Sequence, residues 1–116
     1  MKSGLTITTS TDANVQILHL AGFLDGNTFV ELERRLTDLL QAKHLRIVLE
    51  LSKLTYIASA GVGCFIASAQ KWKTAGGNLQ LATPSPNVGE VFAILGLEQV
   101  FTIHRDLAAA VATAKH

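Results

Sequence analysis

The run Ile47 to Gly63, IVLELSKLTYIASAGVG, decides the fold. Leu45 to Leu51 is a continuous apolar strand interrupted by Arg46 and Glu50, and it reads as central to a sheet. A short polar connection follows. A second apolar touch, Tyr56-Ile57, then leads into Ala58-Ser59-Ala60-Gly61, and a helix runs from about Ala60 to Thr74, closed by Gly76-Gly77. A serine therefore stands at the start of a helix, beside small residues that cover little of it. Two chemistries are open to its hydroxyl. It can accept a hydrogen bond from a free N–H of the first turn, as a cap. It can also carry a phosphate, because a helix N-terminus stabilises negative charge.

Working outward, Leu5-Thr-Ile-Thr-Thr alternates as a strand, Thr11 to Asn14 is a turn, and Val15 to Ala21 is a second strand, so the two form a hairpin. Gly22 to Asn27 reads as a loop. From Thr28 the period changes: Phe29, Leu32, Leu36, Leu39 and Leu40 fall on one helical stripe. Asn27 or Thr28 is the expected cap, with Glu31 placed for a capping box. Beyond the central helix, Asn78 to Thr83 alternates as a strand and Pro84-Ser85-Pro86 is a rigid connection. Val88 to Leu95 is a short helix stopped by Gly96. Gln99 to Ile103 is expected as a last short strand, and Arg105 to Ala114 as an alanine-rich helix. This order implies an α/β layer fold, a mixed β-sheet flanked by about four helices. No linker, repeat or low-complexity tract divides residues 1–116, which read as a single domain.

Composition narrows the function classes. Of the 116 residues 48% are hydrophobic, ample for a core, and a net charge of +1 offers no field of one sign for nucleic acid or an acidic membrane surface. One cysteine, Cys64, forms no internal disulfide and fits a reducing compartment. The start, Met1-Lys2-Ser3-Gly4, has no apolar signal region, and Ile57 to Ala69 is too short to span a bilayer. A cytoplasmic protein without membrane insertion is expected.

The candidate sites each have a structural and a functional reading. Ser59 is a cap or a phosphorylation site. Phosphate there adds roughly −1.5 to −2 charges, which the helix tolerates and an acidic or apolar partner surface does not. Ala58, Ala60 and Gly61 leave the hydroxyl accessible. The first half of the helix, with Val62, Cys64, Phe65 and Ile66, is either core or, with Val62 or Cys64 turned outward, a small contact patch. Asp25 and Asn27, in Gly22-Phe23-Leu24-Asp25-Gly26-Asn27, are turn residues or partner contacts. Asp25 and Ser59 each lie between a strand and a helix and are expected at one sheet edge, where the carboxylate is placed to accept from the Ser59 hydroxyl.

Catalytic and metal motifs are lacking. The spacing of His19, His44, His104 and His116 matches no metal motif. A Ser-His-Asp triad stays open on residue count, yet the flank Ile57-Ala58-Ser59-Ala60-Gly61 is not a Gly-x-Ser-x-Gly elbow. Gly61-x-Gly63 is a fragment of a dinucleotide fingerprint, with Ile66 at its third position. No cofactor is called for. A hydrolase using Ser59 would need a base and an oxyanion hole that the sequence does not display.

The run Val48 to Ser52 and Tyr56 to Gly63 resembles the signature of STAS domains, and within them is most similar to the bacterial anti-sigma-factor antagonists. Gly22-Phe23-Leu24-Asp25 looks like the family's Gly-x-Leu-Asp element, and Gly76-Gly77-Asn78-Leu79 and Val91-Phe92 with Leu95-Gly96-Leu97 fit in order and spacing. The resemblance implies a non-enzymatic regulator that binds an anti-sigma factor, itself a serine kinase, and thereby frees a sigma factor for transcription. It implies that the kinase phosphorylates Ser59 and ends binding, and that a metal-dependent serine/threonine phosphatase restores it. Nucleotide and magnesium would belong to the kinase. Asp25, Asn27, Ala58, Ala60, Gly61, Val62 and Cys64 are then the expected partner surface. Two residues depart from the family pattern. Ala58 stands where aspartate often precedes the serine, which removes a like charge beside a phosphate, and Glu50 replaces a strand-end aspartate. The alternative role is a STAS subunit of a larger assembly, such as a lipid-transport ATPase or a stress-signalling complex.

Overall fold

A computed structural model describes residues 4–115. Five strands form one sheet in the order β1-β2-β3-β4-β5: β1 Leu5–Asp12, β2 Val15–Leu24, β3 Arg46–Ile57, β4 Asn78–Ala82 and β5 Ile103–His104. The β1–β2 hairpin is antiparallel and the remaining pairs are parallel, so the sheet is mixed. Four α-helices complete the fold: α1 Phe29–Gln41, α2 Ser59–Thr74, α3 Pro86–Ile94 and α4 Leu107–Ala114. The expected architecture is borne out.

The two sheet faces are unequal. Leu32 and Leu36 of α1, Phe65 and Trp72 of α2, and Val88 and Phe92 of α3 share the main core with Leu18, Leu20, Leu49, Leu51 and Leu81. On the opposite face α4 alone packs, through Ala110, Val111 and Ala114, on Val15, Ile17, Val48 and Ala82. Among the described residues no helix covers the rest of that face, and there Thr6, Thr8 and Ser10 of β1 are exposed.

Several boundaries differ from expectation: β1 runs to Asp12, into the expected turn, α3 begins at Pro86 and α4 at Leu107. The strand β2 continues through Gly22 to Leu24, where a loop was expected. Gly22 makes this continuation feasible: its φ is +98°, and a Cβ there would stand 2.2 Å from the carbonyl oxygen of Gly4. The strand β3 continues to Ile57, through the stretch that reads as a polar connection. Its buried residues there, Leu51, Leu54 and Ile57, recur every third position. The register explains this spacing. Between His19/Glu50 and Ala21/Lys53, and again between Gly22/Leu54 and Phe23/Tyr56, β3 advances one residue more than β2. Each irregularity re-aims the side chains and carries the strand on to the serine. Finally, Leu97–Gln99 is a 3-10 turn and β5 is only Ile103–His104, not a strand from Gln99. Gly96, at φ +68°, turns the chain there.

Candidate functional site

The C-terminal ends of β2 and β3 lie side by side, and the site is built on them. The Ala58 N–H donates to the Leu24 carbonyl at 2.9 Å. Asp25 follows Leu24 and Ser59 follows Ala58, so the two candidate residues flank one backbone hydrogen bond. This is the shared sheet edge that the sequence led us to expect.

Ser59 is not a cap. Ala58 occupies the N-cap position in an extended conformation, with no side chain capping the helix. Ser59 is the first helical residue. Its side chain is exposed, and among the described residues its hydroxyl has no hydrogen-bond partner. The Gly61 and Val62 N–H groups turn back to the Ala58 carbonyl. The N–H groups of Ser59 and Ala60 have no intrahelical acceptor, as in any first turn. No acidic residue lies in that turn, and Lys71 and Lys73 stand in the last one.

The expected Asp25–Ser59 hydrogen bond does not form. Asp25 Oδ1 accepts from the N–H groups of Asn27 and Thr28, at 2.9 and 3.1 Å. Thr28 Oγ1 donates to the Phe23 carbonyl and accepts from the Asp25 N–H, both at 2.9 Å. Thr28 stands at the N-cap of α1, but neither it nor Asn27 caps the helix with its side chain; the Asp25 carboxylate closes the turn before α1, and the Phe29 N–H donates to the Asp25 carbonyl at 2.9 Å. Asn27 itself is exposed.

The helix α2 presents a different face from the one expected of a contact patch. Cys64 is 6% exposed and Val62 7%, both in the main core. Burial pushes the Cys64 thiol pKa up from its ordinary value, only partly offset by its contact with Ser68. Neither side chain points outward, although Val62 still lines the groove beside Ser59. Gly61 is also buried, and it sets the phase of the helix. A Cβ on it would stand 2.8 Å from Leu24 Cγ and 2.9 Å from Ile57 Cγ1. Close approach on Gly61 turns Val62 and Cys64 inward and leaves Ser59 out. Ala60 is half-buried.

An apolar surface that the sequence reading missed lies beside Ser59. Tyr56, Ile57, Ala58, Ser59, Val62, Val91, Ile94 and Leu95 line an open groove of about 350 Å³. Ile94 is 75% exposed at the end of α3. Phe23 and Tyr56 are also exposed and meet edge to face, 6.3 Å between ring centres. Side-chain anchors place α3 against β3: Ser85 Oγ donates to the Leu54 carbonyl, and Asn87 Nδ2 donates to the Thr55 carbonyl at 3.3 Å. The signal available in the sequence was Ile94, six residues after Val88 and so off the core stripe; Leu95, seven residues after Val88, falls on that stripe and gives no such signal.

Comparison with known proteins agrees with the fold. The chain is 32% identical over 96 residues to BtrV of Bordetella bronchiseptica, covering 83% of each chain. It is 28% identical over 100 residues to the anti-sigma-B factor antagonist of Staphylococcus aureus, covering 86% of this chain and 93% of that one. The Bacillus protein SpoIIAA, an anti-sigma factor antagonist, shares the fold in two solved forms. The unphosphorylated form superposes with a TM-score of 0.78 at 20% identity, covering 95% of this chain and 96% of that one. The phosphorylated form gives 0.71 at 18% identity, covering 93% and 98%. The STAS domain model matches residues 6–110, from the edge strand β1 into α4, and on that match the chain belongs to the STAS domain family.

Proposed function

We propose that this protein is an anti-sigma factor antagonist switched by phosphorylation of Ser59. One observation carries the reading. Ser59 is an exposed, uncapped hydroxyl at the first position of α2, on the rim of an apolar groove. The names of its relatives, and the solving of SpoIIAA in a phosphorylated form, support the assignment.

The unmodified face offers Phe23, Tyr56, Ile94 and Leu95 to an anti-sigma factor with kinase activity. Asp25, Asn27, Ala58 and Ala60 form the polar and small-residue border of that face. Val62 floors the groove, while Gly61 and Cys64 act from below by holding α2. A phosphate on Ser59 meets the free N–H groups of the first turn and no neighbouring carboxylate in that turn, so the domain stays folded. The same charge at the edge of an apolar contact must be desolvated by a bound partner, and the complex dissociates. A serine/threonine phosphatase resets the switch. The protein performs no chemistry in this cycle and acts in the cytoplasm, where the sigma factor works; no described helix is long and apolar enough to cross a membrane.

The test is incubation with the anti-sigma factor kinase and ATP, wild type against Ser59→Ala. Phosphate uptake is expected in the wild type alone. Equal uptake by both proteins would remove Ser59 from the role.

A further inference from the structure

The uncovered half of the second sheet face carries a hydrogen-bonded chain that the Ser59 switch does not use. Ser10 on β1, His19 on β2 and Glu50 on β3 stand side by side across three adjacent strands. Ser10 Oγ lies 2.9 Å from His19 Nε2, and His19 Nδ1 lies 3.3 Å from Glu50 Oε1. Glu50 Oε2 accepts from the Ser52 backbone N–H at 3.1 Å and from the Thr83 hydroxyl. Strand register puts them together. His19 pairs with Thr8 on one side and Glu50 on the other, and Ser10, two residues beyond Thr8, is its diagonal neighbour on the same face. Burial is graded along the chain. The Glu50 side chain is 10% exposed and that of His19 35%, while Ser10 is open to solvent.

The carboxylate fixes the direction of the hydrogen bonds that reach Glu50. Burial alone would raise the Glu50 pKa, but hydrogen bonds from Thr83, Ser52 and His19 bring it below its ordinary value. Glu50 is thus a carboxylate at neutral pH and only accepts. Nδ1 of His19 therefore carries a hydrogen, and in the tautomer with its one hydrogen there Nε2 accepts from the Ser10 hydroxyl. A serine whose proton points at an imidazole held by a buried carboxylate has the arrangement that activates a nucleophile.

We propose that Ser10 is an activated nucleophile that accepts an acyl group from small activated acyl donors, aryl esters or thioesters. Ser10 Oγ attacks the carbonyl carbon while His19 Nε2 takes the hydroxyl proton. The tetrahedral adduct collapses by breaking the bond from the acyl carbon to the leaving oxygen or sulfur. The imidazolium then gives its proton to that leaving atom. The products are O-acyl Ser10 and a free alcohol or thiol, with no change of oxidation state. Glu50 is a positioning residue, since it acts through His19. Ser10 is open to solvent, so a small donor reaches it from outside, whereas the hollow of about 340 Å³ beside His19, lined by Thr6, Thr8, Glu50 and Lys53, does not include Ser10. None of these residues borders Ser59, so the proposal stands or falls apart from the phosphorylation switch.

The probe is p-nitrophenyl acetate with the full chain at neutral pH, acetylated peptides being mapped by mass spectrometry. Ser59, an exposed serine without a hydrogen-bond partner, is the internal reference. A hydroxylamine-labile acetyl ester is expected at Ser10, formed about a hundredfold faster than at Ser59, the scale of general-base assistance. Ser10→Ala abolishes it and Ser59→Ala leaves it unchanged. His19→Gln slows it about a hundredfold, and Glu50→Gln slows it in a way that Glu50→Asp partly restores. Thermal melts verify that each variant is folded. Acetylation of Ser10 no faster than of Ser59, or an undiminished rate in folded His19→Gln, overturns the proposal. Failure of Glu50→Asp to restore any rate overturns the part given to Glu50.

Discussion

A methyl group on Gly61 would stand 2.8 Å from Cγ of Leu24, so the first turn of α2 rests directly on the end of β2. That contact orients the helix, and with it Ser59. Gly63, two residues on, has nothing within 4 Å of the place a Cβ would take.

These two glycines make a controlled pair. Overpacking at Gly61→Ala costs about 1–3 kcal/mol, of which better helix propensity returns up to about 1 kcal/mol. Gly63→Ala keeps the propensity gain without the clash and is expected to stabilise by about 0.5–1 kcal/mol. Urea denaturation of both variants measures the difference. Equal stability of the two would mean that α2 does not depend on the Gly61 approach.

The contact surface beside Ser59 should separate binding from stability. Ile94 is exposed, so Ile94→Ala is expected to change stability by no more than about 0.5 kcal/mol. If the groove is the docking face, the same change weakens anti-sigma factor binding by about 1–2 kcal/mol, about five- to thirtyfold. Ser59→Asp is expected to weaken binding as well, with an unaltered melting temperature. Titration calorimetry against the partner decides, and unchanged dissociation constants for both variants would exclude this face.

Glu50 gives stability a pH dependence. Its folded pKa lies below the ordinary 4.5 despite the opposing effect of burial, because Thr83, Ser52 and His19 hydrogen-bond to the ionised form. A depressed carboxyl pKa contributes stability that is complete above the unfolded value and is lost as pH falls through the folded one. Glu50→Gln is therefore expected to be less stable than wild type at neutral pH. The gap should narrow as the pH drops below about 4.5, the unperturbed value. Denaturant melts across that range test it, and a gap that stays constant in acid would assign the loss to packing.

Cys64 should be inert in the native state. It is buried, and burial holds its thiol pKa above the ordinary value, so little thiolate is present or accessible at neutral pH. An aromatic disulfide reagent is expected to react with it only as fast as the protein opens, and the rate should climb with urea. Prompt reaction in native buffer would place Cys64 at the surface.

Much of the fold is legible in the residues because it rests on local chemistry. The alternation in β1 and β2, the 3.6-residue stripe of α1 and the glycines after α2 and α3 each reflect backbone geometry near at hand. So does the presence of Ser59 at a helix start, among residues too small to cover it. The length of β3 is not local. Its three-residue spacing of Leu51, Leu54 and Ile57 matches no single period, and becomes a strand only when two irregularities in the pairing with β2 absorb the extra residues. The phase of α2 is not local either. That helix is apolar on most sides, so nothing in its sequence says whether Cys64 or Ile66 faces the core. Contact of Gly61 with Leu24 and Ile57, far away in the chain, makes the choice. The Ser10–His19–Glu50 chain has the same origin: three residues on three strands meet because register, a property of the assembled sheet, puts them on one face. Local residue chemistry sets the order of elements and puts Ser59 at the start of α2. Tertiary packing alone decided which side chains surround it, because exposure and proximity belong to surfaces that exist only once the sheet and helices have closed on one another.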